Sequence, residues 1–209
     1  MNFRILHYNT LDSTNTLAIK LAREGASEGA VVVSDYQTHG RGRFKRRWIS
    51  PRGTGLLFSI ILRPDLKPAS AAILTHLAAQ SVAEVLKEKF KLEAKLKKPN
   101  DVLIGGKKIA GILTEASGNQ HDLDYVVVGI GLNVNGRRKG MMRSATSVYL
   151  EVQKRVDKEV ILTKILSIFQ DKYEHLDGKF VPIRTRCRVL NDGVENGYDS
   201  NSTGVAENV

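Results

Sequence analysis

Apolar residues recur along this chain in two periods, and the change from one to the other marks its elements. Phe3 to Tyr8 reads as a short strand. Asp12-Ser13-Thr14-Asn15 then offers side chains able to cap a helix, ahead of Leu17, Leu21 and Ala22 at helical spacing. The helix predicted there runs from about Thr14 to Arg23 and stops at Gly25. Ala30 to Ser34 and Leu56 to Leu62 are short continuous apolar runs of the kind that form buried strands. Between Ala69 and Phe90, Leu74, Leu77, Ala78, Val82, Val85 and Leu86 fall on one helical face. Leu92 to Lys97 reads as a further strand. Val102–Ile104 and Lys108–Glu115 read as two more, joined by Gly105-Gly106 in a hairpin. Gly118-Asn119 marks another turn before the Val/Ile/Gly strand Tyr125 to Val134. Ile161, Ile165, Ile168, Phe169, Tyr173 and Leu176 define a last amphipathic helix. Hairpins mixed with helices predict an α+β fold rather than a regular parallel βαβ array.

The stretches without a period are as informative. Residues 37–54 carry glycines and six cations with no apolar periodicity, and a loop this long in a compact domain usually has a function. Gly136 to Arg143 is a second polar, cationic loop. After Phe180 the pattern fades, and residues 191–209 are acidic and rich in Asn, Gly and Ser, so a loosely ordered tail is expected.

The 209 residues fit one domain with a short appendage, and 42% apolar with 26% charged residues is ordinary for a globular protein. The longest apolar run is too short to span a bilayer, and the N-terminus has no signal core, so no membrane partner is expected. Cys187 is the only cysteine, which excludes an internal disulfide and suggests the cytoplasm. The net charge is +10, and with four of the 22 acidic residues in the last 19, the chain before the tail carries +14. The cations gather at Arg41–Arg52, Lys87–Lys108 and Arg137–Arg143, which calls for an anionic partner.

Several kinds of chemistry are missing. There is no G-x-S-x-G or H-E-x-x-H, and the five histidines are scattered without ligand spacing. Gly40-Arg41-Gly42 and Gly129-Ile130-Gly131 lack the third glycine of a dinucleotide fingerprint, and no P-loop precedes Lys107. What stands out is His39-Gly40-Arg41-Gly42-Arg43-Phe44-Lys45-Arg46-Arg47-Trp48. Glycines permit close approach to a ligand, arginines present planar forks to phosphate or carboxylate, and Trp48 offers a stacking face. A flap that closes on a small anion, a nucleic-acid patch and a solvated basic loop all fit this composition. In Lys97-Lys98-Pro99-Asn100-Asp101, Asn100 and Asp101 are oxygen ligands able to hold Mg²⁺ on a nucleotide, or else a plain turn. Lys108 can offer its charge to a reacting carboxyl or phosphate.

Taken in order, Asp12-Ser13-Thr14-Asn15, Gln37, Gly40-Arg41-Gly42-Arg43 with Arg46 and Trp48, Pro99-Asn100-Asp101, Lys108-Ile109-Ala110-Gly111-Ile112 and Gly129-Ile130-Gly131-Leu132-Asn133 resemble the biotin–protein ligases. The resemblance runs from about Leu6 to about Leu176. It implies a mixed, largely antiparallel central sheet flanked by helices, like that of class II aminoacyl-tRNA synthetases. It implies a catalytic domain over 1–178, with 179–209 a short, divergent or truncated segment where family members often carry a small β domain. The implied reaction forms biotinyl-5′-AMP from biotin and ATP with Mg²⁺. Biotin then passes to a lysine of a biotin carboxyl carrier domain.

By the same resemblance, Ser13, Thr14, Asn15, Gln37, Gly40, Arg41, Arg43, Lys108 and Gly111 bind biotin. Arg43, Arg46, Trp48, Lys108 and Asn133 serve the adenylate, Lys108, Arg41 and Arg43 are catalytic, and Asn100 and Asp101 relate to the metal. Lys98 stands where the family usually has tryptophan. The family allows a homodimer, and because the chain starts at the catalytic segment, no sequence-specific DNA binding is expected. The alternatives are a lipoate or octanoate transferase of the same broad fold and a non-enzymatic nucleic-acid binder.

Overall fold

The structure is a computed structural model that describes residues 1–176 and the two-residue strand Arg188–Val189. The expectations for the segment 179–209 and its acidic tail otherwise lie outside the described residues. The strands are β1 (Arg4–Tyr8), β2 (Ala30–Ser34), β3 (Gly55–Leu62), β4 (Ala94–Lys97), β5 (Asp101–Ile104), β6 (Lys107–Gly118), β7 (Leu123–Asn133) and β8 (Arg188–Val189). They form one mixed sheet in the order β4-β5-β6-β7-β3-β2-β1-β8. β1 is parallel to β2 and β8, and the remaining neighbours are antiparallel.

The helices are α1 (Thr14–Arg23), α2 (Ala72–Phe90), α3 (Val148–Val152) and α4 (Lys158–Leu176). The fold is the mixed, largely antiparallel sheet with flanking helices that the resemblance implies. The bounds of α1 and β2 coincide with the sequence reading. The long apolar run after Ala69 is divided, because Pro68–Ser70 forms a separate 3-10 turn before α2 begins. α3 has no counterpart in the sequence reading, since five residues are too few to show a helical period. It starts where Ser147 Oγ accepts a hydrogen bond from the Leu150 N–H.

Alternation along the strands sends side chains to two differently covered faces. On one face Phe58, Ile60, Leu62, Val126, Val128 and Ile130 pack with Leu74, Val82, Val85 and Leu86 of α2 and Ile161, Ile165 and Phe169 of α4. Each of the larger of these contributes about 1.5–3 kcal/mol by leaving water. Residues 68–90 are long and apolar enough to cross a bilayer by composition alone, but this burial against sheet and α4 accounts for their apolar face. The other face is covered only in part. Ala18 and Ala22 of α1 pack on Ala30, Val32, Ile61 and Val127. The ten-residue helix α1 ends there, and the rest of that face is left to the loops described next.

A glycine-floored candidate active site

The uncovered part of the sheet is floored by residues without side chains. The register pairs Gly111 of β6 with Gly131 of β7 and Leu113 with Gly129, while Leu57 and Ser59 of β3 pair with Gly131 and Gly129. Residues two apart along β7 share this face, so Gly129, Gly131 and Asn133 form a line about 14 Å long. Above it lies a cleft of about 540 Å³. Every residue to which the resemblance gives a site role lines this cleft except Gly40. Gly40 is buried at the root of the flap, where a Cβ would stand 3.0 Å from Gln37 Nε2 and would collide with the Trp48 carbonyl.

At the Gly129 end the groups are polar and uncharged. Ser13 is the N-cap of α1 but makes no side-chain cap hydrogen bond, so the plain capping reading of this segment does not hold. The Thr14 N–H instead donates to Gln37 Oε1 at 2.7 Å, and Thr14 Oγ1 reaches the same oxygen at 3.1 Å. Gln37 is brought there because residues 36–39 run beside 11–12 through backbone hydrogen bonds. Asn15 Nδ2 donates to Leu113 O at 3.1 Å and to Glu115 Oε2 at 2.8 Å. Its Oδ1 accepts from Ser59 Oγ at 2.6 Å. A Cβ on Gly129 would overlap that oxygen, so glycine is required for Asn15 to lie on the strand.

At the Gly131 end the groups are aromatic and cationic. Trp48 lies so close to β7 that a Cβ on Gly131 would be 2.6 Å from its Cε2, and one on Gly111 would be 3.0 Å from its Cζ3. Lys108 Nζ lies 5.4 Å from the Trp48 ring centroid and 2.7 Å from Asp101 Oδ1. Strict alternation would turn Lys108 away from the Gly111 face. The β5–β6 register shifts between Val102 and Leu103, a bulge that re-aims Lys108 toward the cleft. Nε1 of Trp48 is buried without a hydrogen-bond partner, an orphaned donor inside the cleft.

Over this end stands the flap. Gly42 N–H donates to Arg46 O and Trp48 N–H to Gly40 O, making a small hairpin whose tip holds Phe44 and Lys45 at φ 55° and 60°. Both are in the left-handed region that disfavours side chains. Arg43, Arg46 and Arg47 line the mouth. Arg41 also lines the cleft, and its guanidinium pairs with Glu115 Oε1 at 2.5 Å.

Asn100 and Asp101 both have partners within the protein. Asn100 Nδ2 is used on Ile112 O at 2.8 Å, and the buried Asp101 Oδ1, which receives no aligned hydrogen bond, has Lys108 as its counter-charge. Among the described residues no group of three or more acidic, His or Cys side chains could hold a metal. Asn133 Nδ2 donates to Thr146 O and so braces the loop 136–147, which forms the far wall through Met141, Met142, Ser144 and Ala145. That loop also pairs with Lys108 itself, whose N–H donates to Ser144 O and whose carbonyl accepts from Thr146.

Residues 8–133 match the model of the Biotin/lipoate A/B protein ligase family. The chain belongs to that family. A biotin–[acetyl-CoA-carboxylase] ligase of Paracoccus denitrificans is 39% identical over 181 residues, which cover 83% of this chain and 75% of that one. The bifunctional ligase/repressor BirA of Bacillus subtilis is 36% identical over 189 residues, 88% of this chain. The chain spans only 58% of the length of that relative. A biotin protein ligase from Aquifex aeolicus, solved in complex with biotin and ATP, superposes with a TM-score of 0.72 at 32% identity, over 84% of this chain and 72% of that one.

The family's motifs thus fall on one cleft, and several contributors were given no role in the sequence reading. Ser59 and Glu115 sit inside strands that read as core or hairpin, and nothing in their spacing separates them from filler. Gly129 and Gly131 were read as a failed dinucleotide pattern and as part of the family resemblance, but without a role, although their spacing of two is the strand period that makes a bare floor. The wall 141–145 carried one signal, the cation cluster beside it.

Proposed function

We propose that this chain is an ATP-dependent biotin–protein ligase. The biotin carboxylate attacks the α-phosphorus of ATP and expels pyrophosphate, giving biotinyl-5′-AMP. The ε-amine of a carrier-domain lysine then attacks the acyl carbon, loses a proton and releases AMP. The observation that carries this reading is the order of groups along β7: neutral hydrogen-bonding side chains at Gly129, Lys108 and Trp48 at Gly131, and Asn133 beyond.

A cyclic urea has one carbonyl and two N–H groups, and it suits Ser13, Thr14, Asn15 and Gln37. The dithiolane ring of lipoate offers them no hydrogen bonds, so this end of the cleft favours the urea over it. Lys108 of β6, at the Gly131 end of the floor, meets the carboxyl end and stabilises the charge that builds as the anhydride forms. Arg43 and Arg46 converge on the mouth where a triphosphate would lie, and the orphaned Trp48 N–H gains an acceptor when the cleft fills. No side-chain nucleophile is needed, in keeping with the missing triad. Closure of the flap keeps water from a mixed anhydride that it would hydrolyse.

Magnesium enters with ATP as part of the substrate, since Asp101 is committed to Lys108. The relatives named for acetyl-CoA-carboxylase support a biotin carboxyl carrier domain as the acceptor. The single cysteine suits work in the cytoplasm. Exchange of labelled pyrophosphate into ATP tests the first step. It should depend on biotin and not on lipoate or octanoate. Exchange supported equally by lipoate would overturn the choice of substrate.

A further inference from the structure

We propose that Glu115 is a positioning residue that ties recognition of the ligand's head group to closure of the flap. This rests on the biotin-ligase reading. Glu115 sits on β6, on the same face as Gly111 and Leu113, and its two carboxylate oxygens have different partners. Oε1 pairs with Arg41 at the root of the flap, and Oε2 accepts from Asn15 Nδ2 at the start of α1. It is the one ion pair made by the cations of residues 41–47 among the described residues. On the other arm of the hairpin Arg47 is held only through the neutral carbonyl of Thr38.

Asn15 has no freedom to reorient. Both of its N–H groups are used, on Leu113 O and on Glu115, so Oδ1 must face Ser59. Ser59 is fully buried and lies 2.8 Å from Thr14 Oγ1, which leads on to Gln37 and so to the wall of Gly40. The polar chain therefore begins at one flap root, Arg41, and returns to the same root at Gly40. A ligand that engages Thr14, Asn15 or Gln37 is felt at the base of the flap through Glu115 on one side and Gln37 on the other. The flap holds five cations in seven residues and would repel itself into the open without a negative group at its base. Glu115 supplies that charge from a rigid strand. Arg41 acts in this pair as a tether, and the phosphates are left to Arg43 and Arg46.

The test uses pyrophosphate exchange on wild type, Glu115→Gln, Arg41→Gln and the double variant, with biotin titrated at saturating ATP. Each single variant should raise the biotin KM about tenfold, with kcat within about threefold. The double variant should be no worse than the poorer single one, as expected of partners in one interaction. Trypsin should cut within residues 41–47 faster in both single variants than in wild type. An unchanged KM with unchanged proteolysis in Glu115→Gln, or fully additive effects, overturns the proposal. If Glu115→Gln does not fold, Arg41→Gln reads the same pair from the flap, and wild-type behaviour there overturns it equally. Wild type without biotin-dependent exchange would instead end the biotin reading, while the trypsin comparison still decides whether Glu115 clamps the flap.

Discussion

Trp48 lies against Gly131 so closely that a β-carbon there would stand 2.6 Å from Cε2 of the indole. The flap can only lie on the sheet because the sheet has no side chain at that place. Gly131→Ala should therefore lift Trp48 from the floor. We expect kcat/KM for exchange to fall about tenfold or more, equivalent to about 1.4 kcal/mol of lost stabilisation. Trp48 is the only tryptophan in the chain, so its emission should shift to the red without any labelling. An unmoved spectrum with normal exchange would mean that the contact is dispensable.

Lys108→Ala should lower adenylation over about 100-fold, on the scale of roughly 3 kcal/mol for one preorganised group. The substitution also leaves Asp101 without its counter-charge, so some loss of melting temperature is expected. Adding Asp101→Asn should restore the melting temperature and leave the adenylation rate low. That separation, read by thermal unfolding beside exchange, distinguishes a chemical role for Lys108 from a structural one.

Phe58 is wholly buried at the centre of the sheet, under α2 and α4 and on the face opposite the cleft. Phe58→Ala should cost about 3–5 kcal/mol in urea unfolding through lost burial and a cavity. Because Ser59 follows it on the opposite face, the folded fraction should keep its affinity for biotin.

Asp35 joins the end of β2 to the start of α4. Burial raises its pKa, but the hydrogen bond and charge of Lys158, 2.8 Å away, together with His7, outweigh burial and hold the carboxyl below the usual aspartate value. A carboxyl with a lowered folded pKa stabilises above its unfolded value, and that stability is lost as pH falls through the folded one. Wild type should therefore lose urea resistance as pH drops below about 4. Lys158→Met should be weaker at neutral pH and lose less over that acid range. Parallel curves for the two proteins would exclude this pair as a contributor.

The sequence carried the secondary structure well wherever the hydrophobic period ran for several turns or a full strand, as in α1, β2 and β3. It also pointed to Ser13–Asn15, the flap and Lys108, which line one cleft, because those residue types are unusual together. It could not carry register. Whether Gly131 faces a ligand or the core depends on which residue it opposes, and only the pairing with Gly111 and Leu57 settles that. Lys108 shows the same limit, since an even period would point it the wrong way and the bulge at Val102/Leu103 is invisible in composition. Arg41 is the converse case. Its neighbours suggested an arginine facing an anion, and the carboxylate that pairs with it stands 74 residues away, a distance in sequence that no local pattern could show.

The central claim is that one small molecule lies along Gly129, Gly131 and Asn133, with its head group at Asn15 and its carboxyl end at Lys108. A crystal structure of the full chain with biotin and ATP tests this most directly. The account predicts the ring system within hydrogen-bonding distance of Thr14, Asn15 or Gln37, the acyl end beside Lys108, and residues 41–48 folded over the phosphates. A ligand bound away from the glycine floor, or lying on it with the flap turned out to solvent, would contradict it.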